Sequence, residues 1–240
     1  MAACLLFKSD FVGTVAFGLT VVSPENVFNP SLTAVSTFSA IFTSSILFNV
    51  TGITTPTDTL IWVGSSESST LTVDVDIGGT VYSKVASSNI LVYRYPLGTS
   101  DISMTIKGPS TLVTNRYVIA AESLELPNVT APLSPPNIAR NYSVRNNVNR
   151  NGVLVGNNLF KKPVPLTITM KNLTQDWVEA NVPNVTERVS KSPFFFMRDP
   201  DNKPDQVAYC WLDKEVSQPR LNKNGLYDWQ IQCQSISQLT

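Results

Sequence analysis

The sequence predicts a mainly β protein. Residues 1–126 read as a β-sandwich or barrel, and residues 140–240 as a smaller α+β sandwich with one helix. Three observations carry this. Short apolar runs recur at roughly ten-residue spacing between Gly, Pro, Ser and Asn clusters, as in sandwiches. Several of these runs alternate apolar and polar residues, the period of a half-buried strand. A helix start signal stands out after Thr174. Composition agrees: hydrophobic residues are 42%, enough for a core, and charged residues only 15%. Abundant Ser, Thr and Asn suit pleated surfaces and turns.

The strands expected in the first region are Thr33–Phe38, Ile46–Val50, Leu60–Val63, Leu71–Ile77, Ile90–Tyr95, Ile102–Ile106 and Tyr117–Ala121. Alternation is clearest in Leu71–Ile77, where Leu71, Val73, Val75 and Ile77 share one side and Thr72, Asp74 and Asp76 the other. Gly78 and Gly79 then make a turn. Residues 127–139 contain four prolines and read as an extended linker, because proline removes the backbone donor. Beyond it, Leu166–Met170 alternates as a strand. Thr174 caps a helix from Gln175 to about Ala180, continuing past Pro183 toward Val189, with Asp176 favourably placed in the first turn. Ser192–Met197, Val207–Leu212 and Leu226–Ser235 complete the set as strands.

Composition also excludes functions. There is no histidine, so no Ser-His-Asp or Cys-His arrangement, imidazole ligand or imidazole pH switch is available. Cys4, Cys210 and Cys233 are far apart and too few for a structural zinc site, and their odd number argues against a disulfide framework. No G-x-S-x-G, Walker or G-x-G-x-x-G string occurs. The expectation is a protein with no catalytic, metal or cofactor site. Zero net charge argues against a specific nucleic-acid partner. The first ten residues lack a basic region and carry Lys8 and Asp10, a poor signal peptide. The uncharged run from Asn26 to Thr57 is broken by Pro30, Gly52 and Pro56, so strands rather than membrane insertion are expected. Strands so poor in charge are weakly protected against edge pairing, which suggests surfaces covered by neighbours in an assembly.

Several residue groups are candidate sites. Between Leu126 and Gln175 there is no acid, while Arg140, Arg145, Arg150, Lys161, Lys162 and Lys171 are all basic. The segment Arg140–Arg150, with Tyr142, is a candidate subunit contact, since Arg and Tyr are enriched where protein surfaces meet. Its plain reading is an exposed loop. Phe194, Phe195 and Phe196 are placed at or beside the same contacts. Trp62, Tyr93, Arg94 and Tyr95 form a possible glycan-stacking group, against a plain reading as core. Asp74 and Asp76 share a strand face, most simply a solvated one. Asp199–Asp205 has the composition of a calcium loop without its glycine and late glutamate, and reads as a turn. The Asn-x-Ser/Thr strings at Asn49, Asn128, Asn141, Asn172 and Asn184 follow from composition.

The order of features resembles known families. Trp62, then Ser-Ser-Glu-Ser-Ser-Thr, then Leu71-Thr-Val-Asp-Val-Asp-Ile-Gly78 resembles a galactose-binding-like (discoidin-like) jelly roll. There a strand of the type L-x-V-D-L-G follows a Trp-bearing strand; the departure here is a second Asp before Asp76-Ile77-Gly78. The later half resembles bacteriophage tail proteins that join such a module to a tail-tube-like β-domain. The matching features are Arg140–Asn147, the Asn149–Gly152 turn, the strand Leu166–Met170, the helix after Thr174, Pro193–Phe196 and Tyr227–Cys233. The resemblance implies a structural virion protein, a ring-forming subunit linking tail tube or hub to neighbouring tail or receptor-binding proteins. It would contact copies of itself, lie in the virion tail and be made in the host cytoplasm. The alternative is a carbohydrate-binding module or adhesin for a host surface glycan.

Overall fold

The computed structural model describes residues 3–8, 12–16, 20–22, 36–39, 46–66, 71–86, 90–107, 113–130, 142–148, 154–161, 163–200, 202 and 207–237. The described residues are mainly strand, with one helix. The chain divides into two compact units, one of Leu6–Leu124 with Asp201–Asp205, the other of Met1–Leu5, Glu125–Pro200 and Gln206–Thr240. Strand β1 (Ala3–Lys8) is divided between them.

The first unit contains β2 (Val12–Ala16), β3 (Thr20–Val22), β4 (Ser36–Ser39), β5 (Ile46–Thr51), β6 (Thr57–Ser66) and β7 (Leu71–Ile77). It continues with β8 (Thr80–Ala86), β9 (Ile90–Gly98), β10 (Ile102–Lys107) and most of β11 (Val113–Leu126). Two antiparallel layers form. One runs β3-β4-β11-β6-β9 and the other β2-β5-β10-β7-β8. From β5 onward the chain passes repeatedly from layer to layer, the weave of a jelly-roll sandwich. Alternation decides what fills it. Val73 and Val75 from β7, Ile102, Met104 and Ile106 from β10, and Leu60, Trp62, Leu91, Tyr93, Val118 and Ala120 from the facing layer form one core. Ile61, Ile90, Val92, Ile119 and Ala121, of opposite parity, are buried too, which explains why β6, β9 and β11 read as continuous apolar runs.

Strand β8 ends its layer, and its outward face carries Val81 and Val85, each about 60% exposed. On its other face Tyr82 packs against the core, and Lys84 donates to the Val92 carbonyl with its ammonium 5.3 Å from the Tyr93 ring centre. Gly78 and Gly79 make the β7–β8 turn at positive φ (58° and 87°), a conformation in which a side chain is strained. The Gly79 amide donates to Asp76 at 2.9 Å.

The second unit contains β12 (Val129–Thr130), β13 (Tyr142–Val148), β14 (Leu154–Lys161), β15 (Val164–Leu173), α1 (Gln175–Lys191), β16 (Phe194–Met197), β17 (Val207–Leu212), β18 (Arg220–Leu221) and β19 (Tyr227–Ser237). Its sheet runs β12-β15-β19-β17-β16, with β18 also on β19. Within the stretch expected as linker, Val129 and Thr130 pair with Met170 and Thr169; residues 131–139 lie outside the described set. One sheet face is apolar: Leu166, Ile168 and Met170 stand opposite Cys233, Ile231 and Trp229.

Helix α1 starts as expected. The Thr174 hydroxyl accepts from the Trp177 amide at 3.3 Å. Asp176 at the start and Arg188 and Lys191 at the end complement the helix dipole. Val182, Val185 and Val189 bury one stripe, and Trp177 meets Trp229 at 6.4 Å between ring centres. The helix passes through Pro183, an exposed position where the ring removes one backbone donor. All three cysteines are buried, and none is in a disulfide. Burial first, then the hydrogen bond with Cys233, pushes the Cys210 thiol well up, so it stays protonated and unreactive.

Strands β13 and β14 form a hairpin, from Tyr142↔Lys161 to Val148↔Leu154, where no strand was assigned from the sequence and the plain reading of Arg140–Arg150 was a loop. Among the described residues this ribbon pairs with no other strand.

Candidate functional site

The expected glycan group lies within the sandwich unit. Trp62 and Tyr93 are 1% exposed, Tyr95 is buried and Arg94 is half-buried. Their aromatic rings are core. The Tyr93 hydroxyl donates to the Val73 carbonyl at 2.6 Å, tying the two layers, and burial above all pushes its pKa up. The Tyr95 hydroxyl donates to Thr57 at 2.8 Å; burial pushes its pKa up to about 12. The Trp62 indole nitrogen is buried and has no hydrogen-bond partner among the described residues.

Phe194, Phe195 and Phe196 are all buried in β16, with the Phe195 ring tilted against that of Tyr209, 5.2 Å between centres. Tyr142 and Arg145 lie on β13, paired with Lys161 and Asn158. Arg140 and Arg150 fall outside the described residues, as does most of Asp199–Asp205. Asp74 is joined to Lys107 at 2.5 Å and to Ser83. The hydrogen bond from Lys107, followed by that from Ser83, holds its carboxyl below the usual carboxylate range. These exposed contacts are those of a solvated sheet face. Among the described residues, no group of three or more His, Cys, Asp and Glu could hold a metal, and no helix is long and apolar enough to cross a membrane.

The structure brings together a polar cleft of about 470 Å³ in the second unit, lined by Gln218, Arg220, Lys223, Asp228, Gln230 and Gln232 together with Ser217, Leu221 and Asn222. It grows from the alternation of β19. Trp229, Ile231 and Cys233 point to the buried face, so Asp228, Gln230 and Gln232 occupy the other. Thr169 and Thr167 stand opposite Gln230 and Gln232 on β15, and Trp211 stands opposite Gln234 on β17.

A tight turn fixes one wall. Asn222 Oδ1 accepts from the Asn224 and Leu226 amides at 3.0 and 3.2 Å, and Gly225 sits at φ 76°. Asn222 Nδ2 donates to Asn172 Oδ1 and to Asp228 Oδ1. The Asn172 amide also donates to Asp228 Oδ1 at 3.0 Å. Asp228 is thus held by one oxygen. Arg220 is its cross-strand partner yet makes no ion pair with it among the described residues. Ser217 is pinned by its hydroxyl to the Gln230 carbonyl and by its own carbonyl to the Trp229 indole at 2.7 Å. The side chains of Gln218, Gln230 and Gln232 make no hydrogen bond among the described residues. Only the alternating polar residues of the final strand announced this cleft in the sequence; its second wall, at 217–223, carried no signal.

No family model matches the chain, and no curated protein matches it. Solved structures do. The chain is similar to SpGH29 at 10% identity and TM-score 0.35, covering 49% of this chain and 27% of that one. It is similar to the CBM32 of AlyQ in complex with 4,5-unsaturated mannuronic acid at 13% identity and TM-score 0.33, covering 47% and 96%. It is also similar to a chitosan-binding module of a chitosanase/glucanase from Paenibacillus sp. IK-5 at 10% identity and TM-score 0.33, again covering 47% and 96%. The chain thus spans about a quarter of the length of the first of these. None of the three is described as a virion protein.

Proposed function

We propose that this chain is a non-catalytic structural subunit that works through its sheet surfaces: a virion protein of a bacteriophage tail, forming a ring and linking tube or hub to neighbouring tail or receptor-binding proteins. The observation that carries the reading is the β13–β14 ribbon, which pairs with no other strand among the described residues. A two-stranded hairpin is marginally stable by itself in water, so a partner surface is the natural source of its stability. The ribbon belongs to the acid-free stretch that holds Arg140, Arg145, Arg150, Lys161 and Lys162, so that partner is expected to be acidic. The resemblance of Tyr227–Cys233 to the tail-tube-like domain supports the same reading.

Light scattering on the purified chain tests this. The expected result is a closed oligomer, alone or with a neighbouring tail protein, that Arg145→Glu dissociates without unfolding either unit. A strict monomer with every tail partner offered would refute it. A second reading, a carbohydrate-binding module or adhesin, is favoured by one observation, the amide-lined cleft of the second unit. At TM-scores of 0.33–0.35 the solved structures named above carry no argument for either reading.

A further inference from the structure

We propose that the cleft between β19 and the 217–223 segment binds an acidic oligosaccharide. The inference rests on the second reading above and names its ligand and its place.

Three properties select the ligand. First, Gln218, Gln230 and Gln232 each offer an uncommitted amide with both a donor and an acceptor. Paired donors and acceptors match the hydroxyls of a sugar, each of which gives one hydrogen bond and takes others. Second, Asp228, Gln230 and Gln232 follow one another along one strand face, at intervals of about 7 Å, so the groups form a row suited to an extended chain of repeating units. Asp228 is oriented beforehand by Asn222 and Asn172 through Oδ1, which leaves Oδ2 to accept from a diol. Third, Arg220 and Lys223 face a single Asp228, so the lining carries one net positive charge. A sugar bearing a carboxylate gains from that excess, and its neutral counterpart does not.

The same lining disfavours other ligands. Leu221, 65% exposed, is the one large apolar side chain in the cleft, so a peptide finds no apolar pocket. Nucleic acid would set its phosphates against Asp228 and finds no aromatic ring in the lining on which to stack a base. The volume, about 470 Å³, falls within the roughly 300–1,000 Å³ of small-ligand sites.

The test uses the full chain on an array of uronate- and sialate-bearing oligosaccharides with their neutral counterparts, followed by titration calorimetry of the best ligand. Gln230→Ala and Gln232→Ala remove exposed side chains with no internal partner, so circular dichroism should be unchanged. Each is expected to weaken binding by about fivefold to tenfold, the loss of one net hydrogen bond. Arg220→Gln should shrink the preference for the acidic over the neutral sugar. Binding that is undiminished in both glutamine variants overturns the cleft while leaving glycan recognition standing elsewhere. A preference for neutral sugars overturns the ligand class. No binding across the array overturns both the cleft and the reading it rests on.

Discussion

Replacing Tyr93 by Phe removes one oxygen from the centre of the sandwich unit and leaves the ring in place. The hydroxyl lies 2.6 Å from the Val73 carbonyl, at a residue 1% exposed, and joins strands of opposite layers. Ring burial is unchanged in the variant, so the hydrophobic contribution cancels. What is lost is one net hydrogen bond at a buried site, about 1–2 kcal/mol. With a urea slope of about 2 kcal/mol per molar, the unfolding midpoint should fall by ~0.5–1 M. Tyr82→Phe is the control: Tyr82 packs on the same core, but its hydroxyl makes no hydrogen bond among the described residues. Urea unfolding followed by tryptophan fluorescence and circular dichroism separates them. If Tyr93→Phe were as stable as the parent, or if Tyr82→Phe lost as much, the tie between layers would not contribute as argued.

Other outcomes follow from the same geometry. Thr174→Ala should cost about 1 kcal/mol in thermal unfolding through loss of the cap, and Thr174→Ser should restore most of it. Tyr95 has a folded pKa raised to about 12 by burial, so its contribution to stability is full below pH ~10 and lost as pH rises toward 12, with a slope approaching ~1.4 kcal/mol per pH unit. Tyr95→Phe should flatten that alkaline limb, as a urea series across pH would show. Lys107→Met should raise the Asp74 pKa toward its ordinary value, read by carboxyl NMR titration, while costing no more than ~1 kcal/mol because the pair is exposed.

What could be read in advance depended on whether a pattern was local. Leu71–Ile77 was legible to the residue, because strict alternation leaves a strand no other register. Thr174 announced α1 because a cap is a single-residue signal, and the expected run past Pro183 toward Val189 stops just short of the observed end at Lys191. The β13–β14 hairpin was not legible. Gly156, Asn157 and Asn158 interrupt β14 with residues that favour turns, and only pairing with β13 overrides them. Trp62 and Tyr93 show the corresponding limit for sites: composition places aromatics at strand ends, but the facing layer decides whether a ring meets core or solvent. The cleft needed two segments that meet through Arg220↔Asp228, a pairing that leaves no mark in either segment alone.

Strand β8 closes its layer with two exposed valines, and Lys84 turns its charge back across that border toward Val92 and Tyr93. An open rim of this kind is a template on which a stray extended chain can add itself. Any second strand laid along it would have to strip water from the ammonium or displace it from its carbonyl. Newly made chains in a crowded cell therefore meet a deterrent at the place where runaway stacking would begin, set by the charge of a single lysine.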